Sequence, residues 1–174
     1  MTSFQPTSAG QRLTAGVLNA LLAIGVVAFR AYCTAGQSIP TGAESVSNAL
    51  VWDTVDLDRW GAGAVSSSVW TCPMAGWWVL EGGTGFNSAA GGTVRSAAWY
   101  VNGALQAAGR TTVGEPSGTF PTTAISLTMR PVPYLLSAGD TVQMVPSQDS
   151  GNPLQTATGS LRSVISIRYG GPSS

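Results

Sequence analysis

The chain has no lysine and no histidine, and its eight acidic residues are balanced by eight arginines across 174 positions. Charged residues make up 9% of the sequence, against about a quarter in an ordinary globular protein. Without His or Lys, the Ser-His, Cys-His and Ser-Lys nucleophile pairs cannot be built, and acid-base chemistry falls to pairs of carboxylates. A zinc site would have only two cysteines and acids to draw on, so no metal and no cofactor is expected. The balanced charge gives no broad field for nucleic acid or an anionic membrane surface, and no partner of either kind is expected. Cys33 and Cys72 are too few for a secreted disulfide framework. Two buried thiols acting as small hydrophobes are expected, and a disulfide would require adjacent strands.

What is present is small, neutral and apolar. The length suits one domain with a sizeable core and a short appendage. The run "VLNALLAIGVVAF" (Val17 to Phe29) is the most apolar stretch, too short for a membrane helix and followed by no convincing signal-peptide cleavage site. Thr14 is placed to cap a helix, on which Val17, Leu18, Leu21 and Leu22 form one apolar stripe until Gly25 ends it. A helix of about three turns does not stand alone in water. The stripe, with Leu13 before it, must pack on its own domain, on copies of itself, or on another protein. Residues 1–25 are read as an N-terminal anchor, and 26–174 as the main domain.

From Val26 onward, Gly, Pro, Ser and Thr interrupt the chain about every ten residues, and no sustained helical period survives. The expected class is all-β. Strands are expected at Val26–Cys33, Ala49–Asp53, Ser67–Thr71, Trp77–Phe86, Val94–Val101, Leu105–Thr112, Thr122–Met129, Thr141–Val145 and Leu161–Tyr169. Their spacing fits a sandwich or jelly roll. Asn102-Gly103 predicts a two-residue hairpin, because both central positions of a type I′ turn need positive φ. Pro131 and Pro133 are expected to end the strand before them, and Gly139-Asp140 to turn the chain into "TVQMV".

The stretch "WTCPMAGWWVL" (Trp70 to Leu80) holds three of the six tryptophans. In an extended strand Trp77 and Val79 point opposite to Trp78 and Leu80, so both faces are apolar. One face belongs to the core, and the other needs a second cover: a neighbouring subunit, a tight loop or the N-terminal helix. Trp77 and Val79 are the residues assigned to an oligomer contact. The cluster Asp53, Asp56 and Asp58 has enough carboxylates for Ca²⁺ but lacks an EF-hand's Gly and Glu, and is read as a solvated acidic loop with Arg59 as a partner. The loops "EPSGTFP" and "SQDSGNPLQTATGS" suit the rim of a jelly roll, as glycan or receptor contacts or as inert connections.

Trp70, Gly76, Trp78 and Leu80 form an aromatic-x5-Gly-x-aromatic-x-large pattern that resembles the central signature of the complement globular head and tumour necrosis factor-like jelly roll. Leu136, Gly139, Asp140, Val142 and Met144 match the same family's "L-x-x-GD-x-V-x-L" turn and strand. The resemblance spans roughly Val26 to Tyr169 and implies a ten-stranded TNF-like jelly-roll sandwich assembled as a trimer. Gly10, Leu13, Thr14, Ala15, Leu18 and Asn19 are similar to a segment that opens many tail-fibre, head-fibre and minor virion proteins of tailed bacteriophages. Together the two resemblances imply a non-enzymatic phage virion protein: a homotrimeric decoration or fibre-like protein on the capsid or tail surface, such as a capsid decoration or minor tail protein, docked on a capsid or tail protein through its N-terminus. Its place would be the virion, after assembly in the host cytoplasm. The alternative is a receptor- or glycan-binding adhesin domain of a tail fibre. A glycan-cleaving enzyme would need two acids paired across a cleft, and no spacing here places them so.

Overall fold

The computed structural model describes residues 18, 22–42, 44–63, 65–115, 118–121 and 123–173. Eleven strands occur among them: β1 Val27–Cys33, β2 Ser38–Ile39, β3 Thr54–Asp58, β4 Trp70–Thr71, β5 Gly76–Phe86, β6 Val94–Val101, β7 Ala104–Gly114, β8 Ile125–Leu136, β9 Thr141–Gln148, β10 Leu154–Gln155 and β11 Ser163–Gly171. They form a five-stranded sheet, β3-β1-β11-β5-β8, a four-stranded sheet, β4-β9-β6-β7, and a small β10-β2 pair. All the strand pairs are antiparallel.

The side-chain period of two decides which residues meet. Along β11, Ser163, Ile165, Ile167 and Tyr169 are buried, and Val164, Ser166, Arg168 and Gly170 between them are not. Phe29, Ala31, Trp78, Leu80, Ile165 and Ile167 from the first sheet meet Trp70, Ala97, Trp99, Val142 and Met144 from the second in one core. At one side of the sandwich the two sheets meet through their edge strands, where the Thr111 hydroxyl of β7 donates to the Thr128 carbonyl of β8.

The hairpin expected at Asn102-Gly103 joins β6 to β7, with φ of 51° and 75° at the two positions. Its Asn102 side chain reaches the Gly139-Asp140 turn. The Asn102 amide donates to Asp140 Oδ1 (2.9 Å), Asn102 Oδ1 accepts from Thr141 N–H (2.9 Å), and Asp140 Oδ2 accepts from Ser137 N–H (2.7 Å). The two turns therefore brace each other at one end of the molecule.

Two expectations need correction. Residues 49–53 form no strand. A 3₁₀ turn, Val46–Asn48, precedes them, and the strand is β3, inside the segment read as an acidic loop. Its aspartates are compatible with a strand because β3 is a sheet edge, where Asp56 meets Arg30 of β1 (2.6 Å). Pro131 and Pro133 do not end the strand before them: β8 runs through both. It pairs with β5 on one side only, so the missing N–H groups cost no ladder bond, and a bulge sets Arg130 and Pro131 opposite Glu81. Of the anchor residues, Leu13, Val17 and Leu21 lie outside the described residues. Leu18 and Leu22 are 44% and 69% exposed, and Gly25, at φ +77°, turns the chain into β1 with its N–H on the Tyr169 carbonyl (2.7 Å).

Candidate interaction surface

The sequence "AGWW" starts β5 under a close steric limit. Gly76 has φ +153°, and a Cβ there would lie 2.6 Å from the Gly171 carbonyl oxygen and 2.7 Å from the Tyr169 ring. Only glycine lets the start of β5 approach the end of β11 so closely. That approach drives Trp78 into the centre of an aromatic cluster. Its ring lies edge-on to Trp60 (5.7 Å), Trp70 (5.1 Å) and Tyr169 (4.9 Å), in the T-shaped arrangement that aromatic quadrupoles favour. Its indole N–H donates to the Met74 carbonyl at 3.0 Å, which also accepts from the Cys72 thiol.

Cys33 and Cys72 are both buried and free. Burial pushes the Cys72 thiol up to about 11, helped by the nearby Asp140 and opposed by the Met74 hydrogen bond. Burial likewise raises Cys33. The thiolate is the reactive form, so these are packing residues.

One residue along the strand, the opposite face looks outward. Trp77 is 43% exposed and its cross-strand partner Leu135 57%. Val79 and Pro133 pair in the next row, Val79 half-buried. Exposed Ile24 lies against Gly171, which pairs with Trp77, and extends the apolar surface past the end of the strands. Further along the same face Arg168 pairs with Glu81 and Arg30 with Asp56, while the Arg162 guanidinium lies 4.3 Å from the Tyr32 ring centre. The face thus carries an apolar end beside two ion pairs, with Arg130 of β8 also exposed.

The three aspartates of the 53–58 segment do not converge. Asp53 accepts from the N–H groups of Thr34 and Ala35 and from the Thr34 hydroxyl, at 2.7–2.9 Å. Burial alone would raise its pKa, but these bonds outweigh it and hold the carboxyl below its usual range. Asp56 faces Arg30. Asp58 accepts from the N–H groups of Trp60, Ala62 and Gly63 and folds the loop after β3. Arg59 donates to the Val27 carbonyl and not to an acid of this cluster. Among the described residues no group of three His, Cys, Asp or Glu side chains is placed to hold a metal ion, and no helix is long and apolar enough to cross a membrane.

Described residues in both loops given to the rim are tied down, by side chains whose role the sequence did not reveal. Phe120 of "EPSGTFP" is buried, with the guanidinium of buried Arg95 4.5 Å from its ring centre. Asp149 of the second loop accepts from the Thr93 N–H and hydroxyl and from Val94 N–H, at 2.7–2.8 Å, and meets Arg95. Gln148 spans from Ile39 to Asn152 through its amide.

No protein-family model matches the chain, and none of the curated proteins does. Solved structures do, and they share an antiparallel jelly-roll sandwich. Eiger TNF from S. frugiperda is 9% identical with a TM-score of 0.62, over 86% of this chain and 94% of that one. Murine APRIL is 10% identical with a TM-score of 0.56, over 82% and 98% of the two chains. The globular domain of a zebrafish complement 1qA protein is 11% identical with a TM-score of 0.53, over 81% and 94%. The chain has the C1q and TNF-like jelly-roll fold.

Proposed function

We propose that the chain is a non-enzymatic structural protein of a bacteriophage particle, a homotrimer on the capsid or tail surface. Its subunits meet through the apolar end of the five-stranded sheet, and its N-terminal segment docks on another virion protein. The observation that carries the reading is the Trp77-Leu135 patch, with Val79 and Pro133 beside it, on a sheet where Arg168 pairs with Glu81 and Arg30 with Asp56. Burying that surface gains about 25 cal/mol per Å² before the costs of association. A compact assembly of the kind the jelly-roll resemblance implies would cover it. The absence of His and Lys, and the use of Asp53, Asp58 and Asp149 as backbone clips, agree with a role outside catalysis. Leu18, Leu22 and Ile24, exposed just before β1, suit an apolar attachment at the N-terminus.

Light scattering on the full chain tests the assembly. Wild type should have three times the 17.8 kDa chain mass, and Trp77→Asp or Leu135→Asp should give monomers with the same circular dichroism. A monomeric wild type, or trimers unaffected by both changes, would sink the assignment. Mass spectrometry of purified particles tests the location, through a copy number matching capsid or tail symmetry. A second reading, an adhesin that takes a host glycan, is favoured by a groove on the opposite sheet.

A further inference from the structure

The outer face of the four-stranded sheet is crossed by residues 44–50. Ala49 packs there on Ala98, Tyr100 and Val145, and Leu50 N–H bonds the Met144 carbonyl of β9 at 2.9 Å. This strap reaches β7 only through its Glu44 side chain, which meets Arg110. Between its Glu44 end and the β6-β7 hairpin lies an open groove of about 430 Å³, within the size range of small-ligand sites.

The chemistry of its walls is specific. The Glu44 side chain is only 8% exposed. Its Oε1 accepts from the Ser96 hydroxyl (2.6 Å) and from Arg110 Nε (2.9 Å), and among the described residues none donates to Oε2. Ser96 shares a second contact with the Ser147 hydroxyl at 2.7 Å, so carboxylate and hydroxyls form a fixed chain. The Glu44 and Arg110 charges cancel, and Asp149 at the far end is already held by Thr93, Val94 and Arg95. A charged ligand therefore has no uncompensated partner. Around this polar floor stand the ring of Tyr100 and the side chain of Leu105, cross-strand partners on one face of β6 and β7. Burial and the neighbouring Glu44 raise the Tyr100 phenol, and Arg110 opposes them, which keeps its O–H a donor at neutral pH.

We infer that this groove binds one neutral sugar unit. The ring's hydroxyls meet Glu44 Oε2, Arg110 and Tyr100, and its C–H face lies against Leu105 and the Tyr100 ring. A neutral polyol needs donors and acceptors side by side and an apolar wall, and the groove supplies both with no net charge. The inference rests on the adhesin reading and is independent of the trimer, because the groove is built within one subunit.

The test is saturation-transfer difference NMR on the full chain with glucose, galactose, N-acetylglucosamine and rhamnose as probes, and glucuronate and glucosamine as charged controls. At least one neutral sugar should give a saturable, competable signal with millimolar affinity, tighter than either control. Glu44→Gln should weaken it at least about tenfold, or about 1.4 kcal/mol. Leu105→Trp, which fills the groove from its exposed rim, should abolish it with an unchanged melting temperature. Three results would each overturn the inference: no saturable signal up to about 50 mM, where even weak sugar sites begin to fill; equal binding by both variants; or tighter binding of a charged control. Light scattering on the same samples reads the trimer separately, so failure of one reading leaves the other standing.

Discussion

On the four-stranded sheet, β6 and β9 bury side chains on both faces because the chain lays its own residues 44–50 across them; on the five-stranded sheet, the outer face of β5 and β8 leaves Trp77 and Leu135 in solvent. Both outer faces are apolar in part, and one is covered from within. Self-coverage costs the chain a strap of ordered residues, and such a strap removes a surface from association. The face without one is the surface proposed above for another copy.

Neighbouring residues put this contrast to the test. Trp78→Ala, at the centre of the aromatic cluster, should cost about 3–5 kcal/mol of stability by urea denaturation, enough to unfold a marginal domain. Trp77→Asp, one residue away, should instead act on assembly. If Trp78→Ala cost no more than an exposed substitution, the inward and outward sides of β5 would be misassigned.

Ala49→Arg probes the strap. It forces a charge against Ala98, Tyr100 and Val145 and should lower stability by about 2–4 kcal/mol, through burial of an unpaired charge. Because the strap belongs to the same subunit, the loss should persist in the monomeric Leu135→Asp background. A loss seen only in the trimer would place the strap's cover between subunits.

The smallest effect concerns pH. The hydrogen bonds of Asp53 and Asp149 outweigh burial and hold both carboxyls below their usual range. Their contribution to stability is therefore complete above the unfolded carboxylate pKa, about 3.9, and is lost as pH falls through the lower folded values. Melting temperature should be insensitive to these groups between pH 7 and 5 and drop below about pH 4. Asp53→Asn with Asp149→Asn should lower it at pH 7 and flatten the acid limb. Parallel acid limbs in the two proteins would refute the role of the clips.

Much of the fold was legible because local chemistry and tertiary structure agree. Asn102-Gly103 forces its hairpin wherever it stands, and the alternation of Trp77 to Leu80 gives the two faces of β5 directly. The Gly76 signature was legible as a pattern, while its cause, the approach of Gly171 and Tyr169, lies ninety-odd residues along the chain. The errors came where position in the sheet overrides composition. Asp56 and Asp58 read as loop residues because nothing local shows that β3 is an edge facing Arg30. The prolines of β8 read as terminators because the sequence does not show which strand has only one neighbour. Glu44 is a lone acid in "TGAESVSNAL", and its partners Ser96 and Arg110 lie 52 and 66 residues away; no local pattern announces the groove.

The prolines of β8 also limit how the protein can aggregate. An exposed strand edge is a template on which a second chain can add, then a third, without end. At Pro131 and Pro133 that template has lost two of its donors, and the bulge at Arg130 spoils the register on either side. Strand-by-strand growth is hindered along this edge. Face-to-face contact about a symmetry axis closes on itself after a fixed number of copies, whereas edge-to-edge strand addition has no such limit.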